Sequence, residues 1–392
     1  MKLAFIIQRY GQEISGGAEA HARILAQHLR DDFEIEVLTT CAVNYDTWEN
    51  TLPPSTEEVN GIIIRRFPTD FCKEKVTFDA LTEKLIHTGH SYIDELEWLV
   101  HQGPYAEELF RYLREKHADY DFLVFYTYLY VTTVLGLAIA PHKSFLIPTA
   151  HDEPVIQFSI FDAVFHLPRG IFYLTEEEQQ FVSARFKNNY VPHNILGVGF
   201  DPPQDANKNR FLEKFKITNP FLLYVGRVDE GKGCQELIDY FKRFLSEEGN
   251  PEVTLILAGK KHMSDVGHPR IIMPGYLSES DKNDAFAAAT LVLSPSRFES
   301  LSLLLLEAFN FEKPVIANGQ SLVVTAHCQK SGGGLTYQTY EEFRSALKTL
   351  LDDSEKRKKF GQKGKKYVDT HFRWENVASN FKSLLDKVAQ NS

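Results

Sequence analysis

Cysteine is scarce in this chain, and what there is lies scattered. Cys41, Cys72, Cys234 and Cys328 are far apart and none forms a Cys-x-x-Cys pair, so the sequence offers neither a disulfide framework nor a cysteine-built zinc site. This suits a reducing compartment, and a cytoplasmic location is expected. A run long and apolar enough for a membrane is also missing. The 19 uncharged residues from Phe122 to Ala140 include Tyr126, Thr127, Tyr128, Tyr130 and Thr132 and break at Gly136 and Pro141. A buried strand, a polar loop and a core helix account for them better than a span. The N-terminal Met1-Lys-Leu-Ala-Phe-Ile-Ile has no signal-peptide cleavage pattern and reads as a first buried strand. Metal-ligand spacing occurs at His87-Thr-Gly-His90, but with a glycine inside and no carboxylate pattern beside it. Solvated histidines, and no metal, are expected there.

Positive charge is short in the first half only. Residues 1–200 hold 16 Lys+Arg against 28 Asp+Glu, and the remainder 27 against 25. The first half therefore disfavours nucleic acid and anionic membrane as broad partners, and the second half is the better home for a polyanionic ligand.

The ordinary hydrophobic and charged fractions, 43% and 24%, describe a folded globular protein. Single cores rarely grow past roughly 250 residues, so 392 residues imply two domains. Each half repeats one theme. Leu3 to Ile7 is a continuous apolar run, as in a parallel strand buried on both faces. Ser15-Gly16-Gly17-Ala18-Glu19 follows, and then Ala18, Ala22, Leu25 and Leu29 recur at helical spacing. Glycines between strand and helix either bind an anion at the helix start or serve backbone geometry alone. Phe145 to Ala150 is a strand running into His151-Asp152-Glu153-Pro154, which puts His151 where sheet ligands sit. It either binds a substrate hydroxyl or bonds within its turn. Thr175 caps a helix whose Glu176, Glu177 and Glu178 suit its amino end. From Asn189 to Asn209 the pattern dissolves into prolines and turn residues, the best domain boundary.

The second half restarts with strand Pro220 to Val225, turn Gly226-Arg-Val-Asp-Glu-Gly-Lys-Gly233 and helix Cys234 to Leu245. The turn is one residue from a P-loop, because the Ser/Thr that would hold Mg²⁺ is Gly233. Arg227 and Lys232 instead stand as two cations beside a helix start, able to neutralise a diphosphate without metal. Strand Leu291 to Pro295 leads into Ser296-Arg-Phe-Glu-Ser-Leu-Ser-Leu-Leu-Leu-Leu-Glu-Ala308, with Glu299 in a loop, Ser300 or Ser302 as a helix cap, and Glu307 one or two turns into the helix. Local sequence supplies neither glutamate with a cation.

In order along the chain, Ser-Gly-Gly-Ala-Glu, Thr-Ala-His-Asp, Gly-Arg-Val-Asp-Glu-Gly-Lys-Gly and Glu-x7-Glu resemble the family-four retaining glycosyltransferases. The resemblance implies an α/β GT-B fold, two Rossmann-like doubly wound domains facing across a cleft. It implies an acceptor domain over 1–195, a linker over 196–209, a donor domain over 210–373, and a final helix at 374–390 that crosses back. It places Arg227 and Lys232 on the leaving diphosphate, His151 on the transferred sugar, and Glu299 facing that sugar. Gly16, Gly17, Gly226, Ser300, Leu301, Ser302, Gly275 and Tyr276 line the donor, and Glu307 takes the ribose. The departures are Ser300-Leu301-Ser302 in place of Gly-Phe-Gly and Gly197-Val198-Gly199-Phe200-Asp201 at the hinge. The implied activity is metal-independent hexosyl transfer, with retention, from a UDP- or GDP-sugar to a hydroxyl of a glycan or lipid-linked acceptor, with no cofactor, no nucleic acid and at most peripheral membrane association. A sugar-nucleotide epimerase or hydrolase of the same fold, or a non-catalytic binding protein, are the alternatives.

Overall fold

The structure, a computed structural model, describes residues 1–390 apart from Glu13, Ser15 and Asp265. Ser15, the first residue of the glycine motif, thus lies outside the described residues. The chain divides into two compact units, Met1–Val198 joined by the residues from Val377 on, and Gly199–Asn376.

The first unit is built on strands β1 (Lys2–Ile6), β2 (Glu34–Thr40), β3 (Ser55–Val59), β4 (Ile62–Phe67), β5 (Phe122–Tyr126), β6 (Ser144–Ile147), β7 (Gly170–Tyr173) and β8 (His193–Ile195). Their order in the sheet is β3-β4-β2-β1-β5-β6-β7-β8, parallel except for the β3–β4 edge pair. Continuous apolar runs fill the centre because helices cover both faces: Leu3, Ala4, Phe5 and Ile6 are wholly buried, as are Leu123 to Tyr126. The strand order reverses between β1 and β5, the kind of point where open α/β sheets bind ligands beyond the strands' carboxyl ends. The C-terminal helix Trp374–Ala389 buries Val377, Phe381, Leu384, Leu385 and Val388. Phe381 stacks on Phe172 at 4.7 Å and meets Phe5 and Phe33 at 6.3 and 5.7 Å, which ties this helix to the first unit.

The second unit carries β9 (Phe221–Val225), β10 (Thr254–Ala258), β11 (Ile271–Gly275), β12 (Leu291–Ser294), β13 (Val315–Asn318) and β14 (Gly334–Tyr337). All pair in parallel, in the order β11-β10-β9-β12-β13-β14. Helix Cys234–Glu247 lays Leu237, Ile238, Phe241 and Phe244 on this sheet. The reversal here falls between β9 and β12. The turns that follow those two strands are the Gly226–Gly233 turn and the Glu299 loop.

Candidate functional site

The Gly226–Gly233 turn is folded by Asp229. Its Oδ1 accepts the Lys232 amide at 2.7 Å, its carbonyl accepts the Cys234 amide at 3.2 Å, and its Oδ2 lies 3.5 Å from Arg227 Nη1. Gly233, where a P-loop would require Ser or Thr, adopts φ 75°, and a Cβ there would lie 2.5 Å from the Pro295 carbonyl oxygen. Only glycine satisfies both conditions. Its absent side chain lets the turn after β9 press against the loop after β12. The next turn is as bare, because a Cβ on Gly259 would fall 1.8 Å from the Gly226 carbonyl oxygen. The Gly259 amide in turn donates to Gly275 at 2.8 Å, so Gly226, Gly259 and Gly275 run side by side at the carboxyl ends of their strands. Tyr276, beside them, is 57% exposed.

That contact brings Lys232 to Glu299: Nζ and Oε1 are 2.8 Å apart, with side chains 29% and 18% exposed. Glu299 therefore does have a cation, supplied from 67 residues away in sequence. Glu307, one turn into helix Leu303–Asn310, also has one. Lys282 Nζ sits 2.7 Å from its Oε1 and 3.1 Å from Glu279. Burial alone would lower the Lys282 pKa, but Glu307 and then Glu279 outweigh it and hold the ammonium above the usual lysine range. Ser302 stands at the cap position with φ 63°, yet its side chain caps nothing. The Ser300–Ser302 turn is instead held from behind. Buried His327 donates from Nε2 to the Leu301 carbonyl at 3.0 Å, with its Nδ1 3.0 Å from the Tyr367 hydroxyl. Sequence reading missed His327, which stands in a helix of mixed polarity, Leu322–Ser331, with no motif around it.

In the first unit, Gly16 is extended and opens helix Gly17–Leu29. The motif's Glu19 is buried and accepts from Arg9 Nε at 3.0 Å, Arg9 Nη2 at 2.5 Å and Gln8 at 3.0 Å, which anchors the helix to the end of β1. His21, one turn further, is also buried and bonds the Gly197 carbonyl at 2.8 Å. Burial pushes its pKa down to about 4, against the pull of the Gly197 bond, so the ring is neutral. His151 follows β6. Its Nδ1 is 3.5 Å from Glu153 Oε1, and the same oxygen accepts from the buried Tyr128 hydroxyl at 2.6 Å. The backbone beneath is strained, because Thr127 and Thr149, both β-branched, have φ of 64° and 51°. Their hydroxyl oxygens are 3.2 Å apart.

Glu178 does more than suit a helix start. Its buried carboxylate accepts the Ala150 and Leu174 amides, each at 2.5 Å, and so fixes the residue before His151. Burial pushes its pKa up to about 8 against those amides. His90 is exposed, as expected of a solvated histidine, while its ring bonds Glu95 at 3.0 Å and packs edge-on against Phe158. His87 meets the exposed Glu83. Among the described residues no group of three His, Cys, Asp or Glu is placed to hold a metal, and no helix is long and apolar enough to cross a membrane.

Comparison with known proteins gives a match over part of the chain. Residues 205–367 match the model of the glycosyl transferases group 1. The chain is 25% identical over 232 residues to an amylovoran biosynthesis glycosyltransferase, AmsD of Erwinia amylovora, covering 56% of this chain and 61% of that protein. It is 29% identical over 176 residues to a trehalose synthase of Rubrobacter xylanophilus, 40% and 41% of the two chains. The alignments thus span less than two thirds of these curated relatives. Among solved structures, sucrose-phosphate synthase from Thermosynechococcus elongatus superposes with a TM-score of 0.77 at 16% identity over 100% of both chains. Anabaena HepE, in complex with UDP-glucose, does so at 0.72 and 17%, again over 100% of both. These likenesses establish the two-domain GT-B fold.

Proposed function

We propose that this chain, whose residues 205–367 match the group 1 glycosyl transferases and which has the GT-B fold, moves a hexose from a UDP- or GDP-sugar to a hydroxyl acceptor such as a growing glycan or a glycolipid. One observation carries the reading. The Lys232–Glu299 pair, 2.8 Å apart, stands where the strand order of the second sheet reverses, between two turns held together through Gly233.

Breaking a sugar–diphosphate bond gathers negative charge on the departing phosphate and positive character at the anomeric carbon, and preorganised charges aimed at both lower the barrier. Lys232, with Arg227 on the same turn, takes the phosphate. A diphosphate leaves without a proton from any side chain, so the site needs cations more than a general acid, and no metal is assigned to it. Glu299 grips the sugar's hydroxyls, and Glu307, steadied by Lys282, takes the ribose. In the first unit His151, fixed through Glu178 and Glu153, is assigned to the transferred sugar. Glu299 already faces a lysine, which suits a grip better than a bare nucleophile under the anomeric carbon. Transfer is therefore assigned to one face with retention, a phosphate oxygen taking the acceptor's proton. The UDP-glucose bound to HepE supports a nucleoside diphosphate donor.

The test is nucleotide release across UDP-, GDP- and ADP-sugars, with and without an acceptor and with and without EDTA, and NMR of the product's anomeric configuration. Acceptor-dependent, EDTA-resistant release with retention is expected. Turnover without acceptor would identify a hydrolase or epimerase. Donor binding without release under any acceptor would identify a binding protein.

A further inference from the structure

Exposed charge in the second unit is commonly paired. Arg243 meets Glu247 at 2.9 Å and Glu341 at 3.1 Å, Arg344 and Lys348 share Glu248, and Lys214 meets Asp281 at 2.7 Å. Helix Ser354–His371 breaks the pattern. It carries Lys356, Arg357, Lys358, Lys359, Lys363, Lys365 and Lys366 against Glu355 and Asp369 alone. Arg357 is occupied by the Leu350 and Leu351 carbonyls at 2.7 Å, and Lys365 by Asp369. The other five lysines are exposed, and none has an ion-pair partner among the described residues.

At 3.6 residues per turn, Lys356, Lys359, Lys363 and Lys366 fall on one stripe roughly 15 Å long, with Lys358 at its flank. Like charges at these spacings destabilise a helix, and Gly361 and Gly364 weaken it further. What holds it is packing on the opposite side. A Cβ on Gly361 would lie 2.0 Å from the Glu312 carbonyl, and one on Gly364 2.4 Å from the Phe309 ring, so the helix sits backbone-close against helix Leu303–Asn310. The buried face is thus tightly fitted, while the exposed face keeps a repulsion that a sheet of negative charge would relieve.

We propose that this lysine face docks the chain on an anionic phospholipid surface. The inference goes beyond the proposed transfer reaction and does not rest on it. Lysines suit phosphate headgroups, which need point charges rather than a planar fork. Nucleic-acid readers interleave arginine and exposed aromatics, whereas Phe360 is half-buried here and Tyr367 bonds His327. The helix carries +5, so the rest of the −10 chain carries −15. A polymer that wraps the protein would meet that charge, but a plane meets one face, and charges beyond about 10 Å are screened. Each lysine held at such a surface strengthens partitioning about five-fold. The stripe has no apolar residue to insert, so binding is wholly electrostatic.

Sedimentation of the full chain with vesicles tests this, using phosphatidylcholine alone and phosphatidylcholine mixed with phosphatidylglycerol, at low and high salt. Binding only to the mixed vesicles, reversed by salt, is expected. The K359E/K363E/K366E variant should lose at least about 100-fold in partitioning, three lysines at five-fold each. It should melt no lower than the parent, since it removes like-charge neighbours. If it fails to fold, the five lysines replaced by Gln give the same reading. Absence of binding to the anionic vesicles, equal binding to neutral ones, an unaffected variant, or tighter binding to an oligonucleotide of equal charge would each overturn the proposal.

Discussion

Replacing Lys232 by alanine probes the proposed site at its centre. The substitution removes the cation 2.8 Å from Glu299 and leaves the turn intact, because the Lys232 contact with Asp229 runs through its backbone amide. With side chains 29% and 18% exposed, the pair is screened in part, so its loss should cost the fold less than about 1 kcal/mol. The transition state should lose far more. Removing one preorganised charge aimed at a developing anion costs about 2–4 kcal/mol, which is about 30- to 900-fold in kcat/KM. Lys232→Arg, which keeps the charge but moves it, should recover part of that. Steady-state nucleotide release at varied donor, beside a thermal melt of each variant, separates the two effects. A Lys232→Ala enzyme with kcat/KM within three-fold of the parent, at an unchanged melt, would refute the role of the cation.

Gly233→Ala should do damage without touching any charge. The left-handed backbone alone costs an alanine about 1–2 kcal/mol, and its methyl would meet the Pro295 carbonyl at 2.5 Å, so a lower Tm and a loosened Lys232–Glu299 pair, read as lost kcat/KM, are expected. Lys282→Ala strips Glu307 of its cation. Discounted for the 19% and 23% exposure of the pair, the loss of about 1–2 kcal/mol should appear mainly as a raised KM for the donor, and an unchanged KM would count against the ribose role. His21 makes stability depend on pH. Its pKa falls from 6.5 to about 4 on folding, so the folded state binds fewer protons between those values. The contribution is complete above 6.5 and lost as pH falls through 4, about 3 kcal/mol in all. Denaturant melts from pH 7 to 4 should show that slope, and His21→Gln should flatten it.

The sequence makes the central architecture plain, because β1, β5 and β9 are continuous apolar runs that only a doubly covered parallel sheet accommodates. Its edges are not legible. Strand β3, Ser-Thr-Glu-Glu-Val, is largely exposed and carries no apolar alternation, and β8 is three residues long. The same holds within the site. The Gly226–Gly233 turn and the Glu299 loop can each be picked out locally, but their meeting depends on a missing side chain at Gly233. The cations of Glu299 and Glu307 come from 67 and 25 residues away, beyond any helical or strand period. Buried polar anchors are the hardest to read, since Glu19, His21, Glu178 and His327 are told from surface residues only by what folds over them.

Gly233 and Gly259 let neighbouring turns of the second unit meet main chain to main chain, against Pro295 and Gly226. Contacts of that kind admit no added side chain, so substitution there disturbs the turns themselves. In the proposed reaction the diphosphate, shared by every nucleotide sugar, would be held by Arg227 and Lys232 on the turn so fixed, while sugar, base and acceptor would be read by exchangeable side chains such as Ser300, Ser302 and Tyr276. A chain so divided can change its substrate through single substitutions at the rim without putting the common step at risk, so variants with new donor preference should be sought at those three positions and not in the turns beneath them.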